Sequence, residues 1–158
     1  MQYTLFDLLQ VENIAVGLDA ADALSAIRAV NEMLVRSGKT LLAFGEDACT
    51  REGTFPTGLP TRPVAVAIPH ADPPNVLASA VAIATLKSPV QFAQMGTDGS
   101  TKLDVHAIFL LAIKEQSKQV EMIQQLMKVI QNQSLLDAMT RAASPQEAFD
   151  LILASLKP

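Results

Sequence analysis

Apolar positions along the chain switch between helical and strand spacing, and the switches divide it into elements. From Ala20 to Arg36 they fall at Ala23, Leu24, Ile27, Val30, Met33 and Leu34. Steps of three and four residues place these on one face of an amphipathic helix. Asp19 is a suitable N-cap for it, and Ser37-Gly38 a stop. A second helical pattern runs from Leu41 to Gly53 through Leu42, Phe44 and Ala48, weakened at Gly45 by about 1 kcal/mol relative to alanine. Val64 to Ile68, Ser79 to Leu86 and Pro89 to Phe92 read as short strands. Leu103 to Ile113 is the most hydrophobic stretch and predicts a core strand covered on both faces. Asp98-Gly99 predicts a turn before it, and Asp72 to Asn75 a turn or short helix start. Three late helices follow. One opens at Ser117 and runs to about Ile130, with Val120, Ile123, Leu126, Met127 and Ile130 inward; the others cover Ser134 to Thr140 and Ser144 to Leu156. Ser144-Pro145-Gln146-Glu147 is a start signal for the last. Leu5 to Leu9 and Ile14 to Val16 are read as a short helix and a short strand. The sum is one α/β domain over residues 1–158, a small apolar sheet flanked by helices on both sides.

The punctuation between the second helix and the first core strand carries the chemistry. Pro56 to Pro63 contains three prolines and one glycine, which excludes a helix or a central strand. Pro69 ends the following strand because it has no N–H for the ladder. His70 therefore stands on a loop at the C-terminal end of a strand, the edge where open α/β sheets bind ligands. By itself such a histidine is either an ordinary surface residue or a titratable site residue. Arg51 likewise is either a solvated helix end or a guanidinium reaching an anion held near His70. Gln119 is either an exposed helix residue or an amide beside the positive end of a helix, where anions are favoured. His106 is read as a polar residue at a strand's entry, satisfied by neighbours or water.

Composition narrows the function. The chain has 158 residues, 49% of them hydrophobic, enough for one proper core. Its net charge of −4, with no basic run, argues against nucleic acid. Two histidines and one cysteine leave no zinc set, and no nucleotide-binding glycine loop is present, so no metal or cofactor is expected. The lone Cys49 and the lack of a secretory signal point to the cytoplasm. No apolar run approaches the ~20 residues that span a bilayer, so direct membrane insertion is not expected.

Taken together, Arg51-Glu52-Gly53-Thr54-Phe55-Pro56-Thr57-Gly58 and then Ala67-Ile68-Pro69-His70 resemble the enzyme IIA signature of the fructose–mannitol class. That class belongs to the bacterial phosphoenolpyruvate-dependent sugar phosphotransferase system (PTS). The resemblance covers about Ala20 to the C-terminus. It implies a mixed sheet between layers of helices. It implies that His70 accepts a phosphoryl group from the phosphorylated histidine phosphocarrier protein and passes it to a IIB component, which feeds the sugar during uptake through the membrane-embedded IIC. It implies no metal or nucleotide for the step. Arg51 becomes a catalytic candidate beside His70, and Gln119, Thr57 and Glu52 become candidates for stabilising the phosphate.

One departure refines the resemblance. Gln119 stands where many fructose and mannitol members carry a second histidine. An amide there still hydrogen-bonds a phosphate oxygen but carries no charge. The glutamine and the Phe55-Pro56-Thr57-Gly58 loop look more like the galactitol-type branch. The nitrogen-regulatory relatives, which share the fold and the histidine, imply an alternative role as a phosphorylation-dependent binding module. A third reading, a fold that has lost phosphotransfer, is opposed by retention of both Arg51 and His70. A partner-binding rim around His70 is expected to include Phe55, Leu59 and Val76.

Overall fold

The computed structural model describes residues 4–156. The elements in chain order are α1 (Leu5–Leu8), β1 (Ile14–Leu18), α2 (Ala23–Arg36), α3 (Leu42–Thr54), β2 (Gly58–Leu59), β3 (Ala65–Ala67), β4 (Ala80–Ala93), β5 (Lys102–Ala112), α4 (Gln119–Ile130), α5 (Gln133–Thr140) and α6 (Pro145–Leu156). The strands form one five-stranded sheet in the order β1-β4-β5-β3-β2. β1 runs parallel to β4, β4 antiparallel to β5, β3 parallel to β5 and β2 antiparallel to β3. The sheet is therefore mixed, as expected. Among the described residues no helix is long and apolar enough to cross a membrane.

Alternation along the two central strands builds the layers. Val81, Ile83, Ala107, Phe109 and Leu111 face a core made with α1, α4, α5 and α6. Ala80, Ala82, Ala84, Ile108, Leu110 and Ala112 face a second core made with α2 and α3. Successive side chains of a strand point to opposite faces, so a continuous apolar run fills two cores at once. The alanines of β4 on the second face leave room for the backbone of α2 to approach.

Four sequence expectations need correction. Helix α2 starts at Ala23 and is capped by Asp22, not Asp19. The Asp22 carboxylate accepts from the Ser25 N–H at 2.9 Å, and Ser25 Oγ accepts from the Asp22 N–H at 3.2 Å. Ser79 to Leu86 and Pro89 to Phe92 are one strand, β4. A register shift between Thr85 and Val90 takes up exposed Lys87, Ser88 and Pro89, so the proline sits in a bulge, where it is tolerated. Helix α4 begins at Gln119 after a short 3₁₀ turn, Gln116–Lys118. Its buried residues are Met122, Leu126, Val129 and Ile130; Ile123 and Met127 pack half-buried against the same core as expected, while Val120 is 66% exposed.

Two glycines are explained by close approach. A Cβ on Gly45 would lie 3.1 Å from the Asn31 amide, which anchors the start of α3 by donating to the Leu41 carbonyl at 3.2 Å. A Cβ on Gly58 would lie 2.6 Å from the Ala93 carbonyl oxygen. There β2 packs against the end of β4, and the Met95 N–H donates to the Gly58 carbonyl at 2.8 Å. Gly58→Ala is expected to cost about 1–3 kcal/mol by overpacking. The check is a thermal melt, where each kcal/mol lowers Tm by roughly 2–4 °C for a chain of this size.

Candidate functional site

His70 is placed by the sheet. It forms a parallel bridge with Leu111 of β5, and the Leu111 N–H donates to the Pro69 carbonyl at 3.0 Å. The chain is thus held one step beyond β3 although Pro69 cannot donate. The residue is 8% exposed. Its Nδ1 lies 2.8 Å from the Ile68 carbonyl oxygen. A carbonyl only accepts, so Nδ1 carries the hydrogen and Nε2 keeps its lone pair.

Arg51 comes from the last turn of α3, at the edge of the same hollow. Its guanidinium carbon lies 5.0 Å from the centroid of the Phe55 ring, a stacking contact that fixes the side chain. Its Nε is buried with no hydrogen-bond partner among the described residues. Arg51 and His70 share the lining of a cavity of about 320 Å³, together with Phe55, Thr57, Met95 and Ile123. A second cavity of about 430 Å³, lined by Asp47, Asp72 and Asn75 among others, adjoins it across Arg51 and Phe55.

Glu52 and Thr57 are together but not as expected. The Thr57 N–H and hydroxyl both donate to the Glu52 carboxylate, each at 2.8 Å. Both residues are buried, at 8% and 2% exposure. Neither Thr57 donor is therefore free for an anion in this arrangement, and the pair ties the proline-rich loop to α3. Burial pushes the Glu52 carboxyl above its ordinary range, against the two Thr57 hydrogen bonds that lower it.

Gln119 is the first residue of α4, one turn before Ile123, which lines the His70 cavity. Gln119 itself is not part of that lining, and its Oε1 is buried without a partner among the described residues. His106 lines neither cavity. Of the residues expected at a partner-binding rim, Phe55 is 59% exposed and lines the His70 cavity. Leu59 is half-buried against one core and Val76 is buried in the other. The sequence reading missed Met95, Gly96 and Thr97, the tip of the β4–β5 hairpin, which form a wall of the cavity. Asp98-Gly99 located that turn, but no local signal says where a strand as long and bulged as β4 delivers it. No group of three or more His, Cys, Asp or Glu able to hold a metal occurs among the described residues.

Burial lowers the His70 pKa from its ordinary 6.5, and Arg51 lowers it further, while the Ile68 hydrogen bond and Asp72 act the other way. The folded ring thus stays neutral below the pH at which the unfolded one protonates. Stability should fall as pH drops from about 6.5 toward the folded value, because the unfolded state binds the proton first. Ring ¹H–¹⁵N titration should place the His70 midpoint below 6.5; a midpoint at or above it would contradict the desolvation argument.

Residues 7–155 match the family "Phosphoenolpyruvate-dependent sugar phosphotransferase system, EIIA 2". The chain belongs to this family. No curated protein matches it in sequence. Among solved structures, a chain from Streptococcus pyogenes M1 GAS assigned as a PTS IIA domain matches with a TM-score of 0.81 at 23% identity, covering 99% of this chain and 100% of that one. The mannitol enzyme IIA in complex with phosphorylated enzyme IIB, from Escherichia coli, matches at 0.74 and 24% identity, over 92% and 97%. The nitrogen regulatory protein IIA-Ntr from Neisseria meningitidis matches at 0.76 and 21% identity, over 94% and 98%. At these identities the likeness is one of fold, and it extends over nearly the whole EIIA chain.

Proposed function

We propose that this EIIA is a phosphocarrier in which His70 accepts a phosphoryl group from the phosphorylated histidine phosphocarrier protein and passes it to a IIB component. The IIB would in turn serve a membrane IIC during uptake of galactitol or a related sugar. The observation that carries the reading is the His70 ring. It is held at Nδ1 by Ile68, made harder to protonate by burial, and shares a cavity with an Arg51 guanidinium whose Nε has no partner among the described residues. In the first half-reaction the Nε2 lone pair attacks phosphorus. The bond from phosphorus to the donor's imidazole nitrogen breaks, and that nitrogen keeps the electron pair. Nδ1–H remains, so the phosphorylated ring is cationic and the Ile68 carbonyl supports its charge. The second half-reaction reverses this toward the acceptor's nucleophile. Transfer of this kind needs in-line positioning and charge stabilisation more than proton transfer. Arg51 supplies charge, and the N-terminus of α4, one turn before Ile123 of the cavity wall, is the candidate source of a favourable dipole.

The membership in EIIA 2 and the fold match to a IIA solved with its IIB support a IIB partner. The galactitol branch rests on Gln119 and the Phe55-Pro56-Thr57-Gly58 loop. The fold match to IIA-Ntr favours a second reading, a phosphorylation-dependent binding module in the cytoplasm. The test is a coupled assay with phosphoenolpyruvate, enzyme I and the histidine phosphocarrier protein, read by intact mass at neutral pH. The phosphocarrier reading expects a gain of one phosphoryl mass, then faster discharge to a galactitol-type IIB than to a mannitol-type one. Full charging with no discharge to any IIB would favour the binding module. No charging, with a control IIA active, would overturn both.

A further inference from the structure

The loop carrying Thr57 is joined to the His70 ring by an unbroken run of hydrogen bonds. The Glu52 carboxylate accepts from the Thr57 N–H and hydroxyl, each at 2.8 Å. The Thr57 carbonyl accepts from the Ile68 N–H at 3.3 Å. The Ile68 carbonyl accepts from His70 Nδ1 at 2.8 Å. Glu52 and Thr57 do not have to touch a phosphate to matter for transfer. Glu52 fixes Thr57, and the Thr57 carbonyl holds the N–H of Ile68, the residue whose carbonyl fixes the ring.

We propose that Glu52 is a positioning residue for phosphoryl transfer, acting through Thr57 and Ile68 to hold His70 in the tautomer and orientation that present Nε2. The inference rests on the phosphocarrier reading of His70. It is supported by where α3 puts its last turn. Arg51 and Glu52 are adjacent, about 100° apart around the helix, so one faces the cavity while the other is buried beneath the loop. A single helix end therefore sets both the cation and the ring. A buried carboxylate is unusual without a salt bridge, and among the described residues Glu52 has none. Its two acceptor atoms meet two donors of one residue. Partners that orient metal-ligating histidines typically change affinity or activity by 10–100-fold when removed, and the lower end of that range is the scale expected for Glu52, which acts through two intervening residues.

The experiment compares Glu52→Met and Glu52→Gln with the unaltered protein. Glutamine keeps both links, because its carbonyl accepts the Thr57 N–H and its NH₂ donates to the Thr57 hydroxyl oxygen. Methionine removes both. Two readouts are taken: the kcat and KM of phosphoryl acceptance from the phosphocarrier protein, and the ring ¹⁵N pattern of unphosphorylated His70. Glu52→Met is expected to lower kcat at least 10-fold with KM within two-fold, and to replace the single Nδ1–H pattern by a tautomer mixture. Glu52→Gln is expected to stay within about three-fold of the unaltered protein. An unchanged ring pattern in Glu52→Met overturns the proposal whatever the rate does. So does a Glu52→Gln protein as slow as Glu52→Met. If Glu52→Met does not fold, Thr57→Val against Thr57→Ser tests the hydroxyl link by itself, since valine removes that donor and keeps the backbone N–H while serine keeps both; an unchanged ring pattern and rate in Thr57→Val then overturn the proposal. The ring spectrum needs no phosphorylation. Failure of the unaltered protein to charge would thus strike the phosphocarrier reading and leave the positioning result separately legible.

Discussion

His70→Gln should take up no phosphoryl group under conditions in which the unaltered EIIA is charged to completion. Glutamine approximates the size of the ring and can still donate an N–H toward the Ile68 carbonyl, so the loop beyond β3 should keep its place. What it lacks is a nitrogen lone pair able to attack phosphorus, because an amide nitrogen gives that pair to its carbonyl. The loss is therefore absolute at this position and not a matter of rate. His106 offers no detour, because it lines neither cavity. Intact-mass spectra at neutral pH check it, with a melting curve to show that the variant folds. A phosphorylated His70→Gln protein would end the assignment of His70, whatever became of the family membership.

The part of this site that could be read from the sequence is the part coded by single residues. Pro69 cannot continue a ladder, so it announces the end of a strand and puts His70 at the ligand-bearing edge. The apolar run through Phe109, Leu110 and Leu111 announces a strand with two covered faces, and both cores use it. What failed to show is what depends on phase or distance. Helix α4 carries Val120, Met122, Ile123, Leu126, Met127, Val129 and Ile130. Two neighbouring stripes are apolar, and periodicity cannot choose between them. Packing buried Met122, Leu126, Val129 and Ile130, kept Ile123 and Met127 half-buried against the same core, and left Val120 in solvent. Asp19 and Asp22 are equal as caps by type, and the reciprocal bonds with Ser25 decide for Asp22. The bonding of Glu52 to Thr57 turned a phosphate candidate into a tether, since donors already spent on a buried carboxylate are not offered to a ligand. The hairpin tip at Met95 was invisible because it arrives by way of the bulge in β4.

Arg51→Met should slow phosphoryl acceptance by about 10²–10³-fold, the usual cost of removing one fixed charge-stabilising donor from a reacting centre. Methionine preserves the apolar stem and a contact with Phe55, so the cavity wall should survive while its charge does not. Two consequences separate this from general damage. First, Arg51 holds the His70 pKa down, second to burial among the causes that lower it. Its removal should raise the ring's titration midpoint while leaving the Nδ1–H tautomer intact, because the Ile68 carbonyl is untouched. Second, Arg51→Lys should recover only part of the rate. It restores the charge but not the planar pair of donors that meets two phosphate oxygens at once. Rapid-quench transfer kinetics and ring ¹⁵N titration on the same samples test both. A full rate in Arg51→Met would mean that Arg51 does not serve the phosphoryl group. The charge stabilisation would then have to come from the backbone and the N-terminus of α4.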